Sequence, residues 1–188
     1  INGESSYDYF GRSVSLSSDG SVVAIGARYN DGGGNNSGHV RIYENNNGTW
    51  TQIGSDIDGE SSYDYSGYSV SLSADGSIVA IGAYANDGGG RNSGHVRIYE
   101  NNNGTWTQIG SDIDGESSSD HSGYSVSLSG DGSVVAIGAR YNDGGGGNSG
   151  HVRLYKNNNG TWTQIGSDID GEGSSDYFGW SVSLSNDG

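Results

Sequence analysis

The chain has 188 residues, 36 of them glycine, with no proline, cysteine or methionine, and a formal net charge of −15. Without cysteine there is neither a disulfide framework nor a thiolate metal site. Lys156 is the only lysine, and seven arginines are spread along the chain, so no clustered basic surface exists for nucleic acid or an anionic membrane; nor is there an apolar run of about 18 residues to span a bilayer.

A composition so rich in Gly, Asn and Ser normally marks disorder. Here the apolar residues fall in short alternating runs that recur at fixed spacing, a pattern that disorder does not produce. Gly3, Gly59, Gly115 and Gly171 head units 56 residues apart, at about 3–58, 59–114 and 115–170, with a partial unit at 171–188. Within the first unit, residues 12–17 alternate, Val14 and Leu16 opposing Ser13, Ser15 and Ser17, which predicts a half-buried strand. Asp19-Gly20 supplies a hairpin turn. Val22-Val23-Ala24-Ile25, ending at Gly26-Ala27, predicts a strand buried on both faces near the centre of the structure. Residues 28–38, rich in Gly and Asn, read as a flexible loop. His39 to Tyr43 resumes alternation, Asn45-Asn46-Asn47-Gly48 turns the chain, and Thr49 to Ile53 makes a fourth, aromatic-bearing strand. No segment shows helical periodicity. The expectation is an all-β chain of β-propeller blades, each of four antiparallel strands, three blades plus the first strand of a fourth. A β-solenoid competes, although its coils are shorter.

Phe10-Gly11, Ser13-Val14-Ser15-Leu16, Asp19-Gly20 and Ile25-Gly26-Ala27 together resemble the FG-GAP repeat, the blade of integrin-α-type propellers. The resemblance covers all three units and the partial one. It implies a propeller, an extracellular or cell-surface setting, and a role in adhesion or scaffolding. Ser66 and Ser122 depart from the family's Phe, which Phe178 restores. The calcium loop that many family blades carry around Asp-Gly is also missing, because Ser15 and Ser17 stand ahead of Asp19-Gly20 and Ser21, Val22 and Val23 behind it.

The candidate calcium ligands are Asp56, Asp58 and Glu60, repeated as Asp112, Asp114 and Glu116 and as Asp168, Asp170 and Glu172, since closely spaced carboxylates around a glycine suit that ion; a structural turn, where Asp and Gly are common for backbone reasons, is the preferred reading. Asn30-Asp31-Gly32-Gly33-Gly34 offers backbone to an ion or ligand, but no helix follows to make it a phosphate site. His39, His95 and His151 recur once per unit, as structural hydrogen-bonding residues would, and His121 reads as a surface variant of Tyr9 and Tyr65. Trp50, Trp106 and Trp162 serve either inter-blade packing or sugar stacking. Asn47, Asn103 and Asn159, in the predicted turns, and Asn35 head N-glycosylation sequons. With serines outside any nucleophile elbow and carboxylates repeated in every unit, no enzyme is expected.

Three blades cannot close a ring, and Ile1 in place of an initiating Met points to a processed chain or a piece of a longer one. The expected function is a non-enzymatic structural protein that completes its propeller with a second copy or within a longer array or filament. A module binding a protein or glycan ligand through loops such as 28–38 is the alternative, and a symmetric propeller amplified or designed from one unit is another.

Overall fold

The computed structural model describes residues 1–188 and consists of strands and connecting turns, without a helix. The first blade contains β1 (Ser13–Leu16), β2 (Val22–Ala27), β3 (His39–Asn46), β4 (Thr49–Gln52) and β5 (Ile57–Asp58). The second contains β6 (Ser69–Leu72), β7 (Ile78–Ala83), β8 (His95–Asn102), β9 (Thr105–Gln108) and β10 (Ile113–Asp114). The third contains β11 (Ser122–Leu128), β12 (Val134–Ala139), β13 (His151–Asn158), β14 (Thr161–Gln164) and β15 (Ile169–Asp170). In each, four strands run antiparallel in chain order and a short fifth returns to the third, so the propeller-blade expectation holds.

The outer strand is broken, which the alternation of residues 49–53 did not foretell. β4 pairs with Tyr43–Asn46 of β3, and β5 with His39 and Val40. Between them Gly54, at φ 72°, turns the chain out of the ladder, leaving Arg41 facing the gap. The Asn47-Gly48 turn has φ of 53° and 89°, the two positive values that a two-residue hairpin turn requires.

The apolar core lies between blades. Val22, Ala24, Val40, Ile42 and Ile57 of the first blade pack against Leu72, Val79, Ile81 and Tyr99 of the second. The second and third blades repeat the arrangement, with Val96, Ile98 and Ile113 against Leu128, Val135 and Ile137. Each buried Val, Leu or Ile contributes roughly 1.5–3 kcal/mol, and a short-stranded sheet poor in apolar residues gains it only by stacking on a neighbour.

Polar residues join the same interfaces. The Leu72 and Leu128 N–H groups donate to Ser15 Oγ and Ser71 Oγ of the preceding inner strand, each at 2.9 Å. Ser13 Oγ–H donates to Gly67 O at 2.6 Å. Gly67, at φ 78°, lies with its Cα against Gly26, where any side chain would drive into backbone: a Cβ on Gly26 would sit 2.1 Å from Gly67 O. Residues 171–188 follow the path of the next inner strand, with Leu184 N–H donating to Ser127 Oγ at 3.0 Å. They form no ladder, because an inner strand pairs with the second strand of its own unit.

Candidate functional site

Acidic clefts open where the chain crosses from one blade to the next, and the broken outer strand builds them. In the first unit Asp56 stands in the gap opposite Arg41, whose Nε and Nη2 donate to its two oxygens at 2.8 Å each. Asp58 continues toward Asn30, and Glu4 approaches from the start of the unit to pair with Arg41. In the second unit Glu60, Asp64, Asp112 and Asp114 line a cleft of about 610 Å³ with Asn86 and Asp87. The third unit has a cleft of about 330 Å³ with the same acidic positions, Glu116, Asp120, Asp168 and Asp170.

Behind each cleft a histidine is buried. His95 Nδ1 has no hydrogen-bond partner and lies 3.6 Å from Asp112 Oδ2 and 4.0 Å from Glu60 Oε2. His39 and His151 repeat this, with Asp56 Oδ2 and Asp168 Oδ2 at 3.6 and 3.7 Å. Burial pushes the histidines down, His95 to about 4, so all three are neutral near pH 7. Burial raises Asp58, Glu60, Asp64, Asp114 and Asp120, whereas its hydrogen bonds from Arg41 lower Asp56. Each cleft therefore holds concentrated negative charge beside a neutral imidazole, a setting that attracts cations.

The Asp-Ile-Asp-Gly-Glu turn is not one site. Its aspartates face the cleft of their own unit and its glutamate faces that of the next, so Asp56 and Asp58 meet Glu4, while Glu60 meets Asp112 and Asp114, and Glu116 meets Asp168 and Asp170. Glu172, the fourth glutamate of the series, belongs to none of the three groups. Sequence reasoning missed Asp8, Asp64 and Asp120, buried carboxylates that accept from Asn30, Asn86 and Asn142 Nδ2 at 2.9 Å; an Asp fixed four residues after the Glu in every unit was the available signal. The 28–38 loop is tied down: Gly32, Gly33 and Asn36 N–H donate to Asn30 Oδ1, Ser37 Oγ and Asp31 Oδ1.

The other predicted residues take distinct places. Trp106 and Trp162 pack between blades and donate their indole N–H to Ile53 O and Ile109 O, and Trp50 packs on Val23, Ile25 and Tyr43. Asn35, Asn47, Asn103 and Asn159 are exposed. Asp19 accepts from Ser17 Oγ and from Ser21 N and Oγ, and these bonds hold it down at about 2; the serines close this turn themselves. His121 is not at the periphery. It packs, tilted and edge-on, within a row of tyrosines, 5.1 Å from Tyr84 and 4.9 Å from Tyr141 between ring centroids.

The model of the FG-GAP repeat family matches residues 2–43, 56–99 and 112–155. No curated protein matches the chain. Among solved structures it is similar to the periplasmic gluconolactonase PpgL of Pseudomonas aeruginosa, at 15% identity and a TM-score of 0.53, covering 86% of this chain and 39% of that one. It is also similar to Sqt1 of Saccharomyces cerevisiae, at 13% identity and a TM-score of 0.54, covering 89% and 38%. Hydrazine synthase of Kuenenia stuttgartiensis gives 10% identity and 0.51, covering 92% and 40%. Such identities concern the fold alone, and the chain spans about two-fifths of each of these structures.

Proposed function

The chain belongs to the FG-GAP repeat family, and we propose that it is a non-enzymatic, extracellular structural segment whose ring is completed by blades of the same kind. A second copy of the chain or neighbouring units of a longer array supply them. One observation carries this reading: the two end faces are the two halves of the interface that the interior repeats twice. At the trailing face Ile169 is 48% exposed, where Ile57 and Ile113 are 7% and 6%. Ile165 is exposed beside it, and Val152 and Leu154 are half-open where Val40, Ile42, Val96 and Ile98 are covered. At the leading face Leu16 is 55% exposed against 7% for Leu72. The leading Trp50 is equivalent to Trp106 and Trp162, which bond the carbonyls of Ile53 and Ile109; Ile165 O is the corresponding acceptor at the other end.

Contacts that repeat head to tail generate rings when the rotation closes and filaments when it does not. Recurrence also argues against catalysis, since each titratable group appears once per blade instead of converging on a single asymmetric cleft. A second reading, a protein or glycan ligand, is favoured by the tyrosine row: Tyr9, Tyr29, Tyr65 and Tyr84 follow one another at 5.0–5.4 Å between ring centroids, and Tyr9 is half exposed.

Light scattering over a concentration series tests the structural reading. The native chain is expected to form discrete multimers or filaments, and Ile169→Asp and Trp50→Ala each to shift it to monomer. A native chain that stays monomeric at every concentration overturns completion by a second copy, and association indifferent to both substitutions overturns the end faces as the interface.

A further inference from the structure

We propose that each unit holds a site for a divalent transition cation of the zinc type, formed by Glu4, His39 and Asp56, by Glu60, His95 and Asp112, and by Glu116, His151 and Asp168. In each group the ligand atoms lie within 4.8 Å of one another. Acidity alone would not make a site. What does is the imidazole, with Nδ1 buried and unpartnered in all three units, facing two carboxylate oxygens in the first and second and Asp168 Oδ2 in the third.

The second unit shows the arrangement most openly. His95 is 1% exposed, and its Nδ1 is 3.6 Å from Asp112 Oδ2 and 4.0 Å from Glu60 Oε2. Both distances are too long for hydrogen bonds. A cation at about 2.1 Å from each of three tetrahedral ligands sets them about 3.4 Å apart, so closing on one asks for a small movement of Asp112, now at 3.6 Å, and a larger one of the exposed Glu60, now at 4.0 Å. The outer oxygens of the two carboxylates are already held. Gln108 Nε2 donates to Asp112 Oδ1 at 2.7 Å, and Arg97 Nη1 stands 3.4 Å from Glu60 Oε1 while its Nη2 donates to Asp58 O. Such outer partners orient metal-ligating carboxylates.

The remaining chemistry agrees. A neutral imidazole is the form that binds metal, and burial keeps His95 neutral. One nitrogen and two carboxylates suit zinc or its first-row neighbours, whereas calcium takes six to eight oxygens. Glu60 and Asp112 both line the 610 Å³ cleft, which gives the ion its entry and leaves the fourth position to water. In the first and third units the arginine pairs with the same aspartate directly, through Arg41 to Asp56 and Arg153 to Asp168. Those two sites are expected to be weaker than the second.

Calorimetric titration of the full chain with zinc chloride, before and after chelation, tests the proposal, with calcium chloride as competitor. The expected result is saturable binding of up to three ions per chain, the tightest lost on His95→Gln and not displaced by a tenfold excess of calcium. Glu60→Gln, at an exposed side chain, is expected to weaken that tightest site at least about 10-fold and guards against a misfolded histidine variant. Cobalt binding should show a nitrogen ligand spectroscopically in the native chain and lose it at one site in His95→Gln. Zinc binding that is absent up to millimolar concentration, indifferent to both substitutions, or displaced equally by calcium overturns the proposal.

Discussion

His121 shows how one substitution within a repeat is read differently by sequence and by structure. Its unit places it where the others have Tyr9, Tyr65 and Tyr177; alone, it looked like surface variation. The fold packs that position, at φ 57°, into a row of rings beside Arg140, which no local pattern reveals. Burial, with Arg140 adding to it, holds the imidazole down to about 4. The unfolded chain takes up a proton near 6.5 and the folded chain does not until about 4, so stability falls as pH drops through that window. Above 6.5 both states are neutral and the cost vanishes. His121→Tyr, which restores the repeat, is therefore expected to be more stable than the native chain by on the order of 1 kcal/mol at pH 4, the half-buried ring being screened by solvent. Urea unfolding of both at pH 7.5 and pH 4 measures it; an advantage that does not grow on acidification would count against the buried neutral imidazole.

Strands were the legible part of each unit, because the alternation of Ser13 to Leu16 and the apolar run of Val22 to Ala27 report local backbone and burial directly. The break in the outer strand was not legible. It depends on Gly54 leaving a ladder whose partner, Arg41, is remote in sequence, and it is this break that places Asp56 in one cleft and Glu60 in the next. The family motif gains a physical meaning at the same scale. Its Phe-Gly glycine and its Gly-Ala glycine meet across blades, as Gly67 meets Gly26 and Gly123 meets Gly82. Gly82→Ala would put a methyl 2.1 Å from Gly123 O, and since two backbones must part, about 3 kcal/mol of stability should be lost. Gly104→Ala is the contrast, at φ 89° in open space, where conformation alone costs about 1 kcal/mol. Denaturant midpoints of the two variants separate the terms; equal losses would mean that the blades do not pack glycine to glycine.

At the scale of the molecule the period of 56 residues was plain in the sequence, but the location of the core was not, since alternation says which residues are buried and not against what. The core lies between units, and the stability of such a stack is a sum of unit and neighbour terms. The middle blade has two covered faces and the outer blades one each, so β7 and β8 should exchange amide hydrogen slowest. β1 should exchange faster, with Val14 and Leu16 open, and so should residues 171–188, which lack a ladder. The proposed head-to-tail association would cover the leading face of one copy with the trailing face of another and make protection there depend on concentration. Hydrogen exchange measured at low and high protein concentration should then show β1 and β15 slowing together as concentration rises, with β7 and β8 changing less. Slowing at only one end would point to a pairing of like faces, and invariance at both would leave ring completion to neighbouring units of a longer chain.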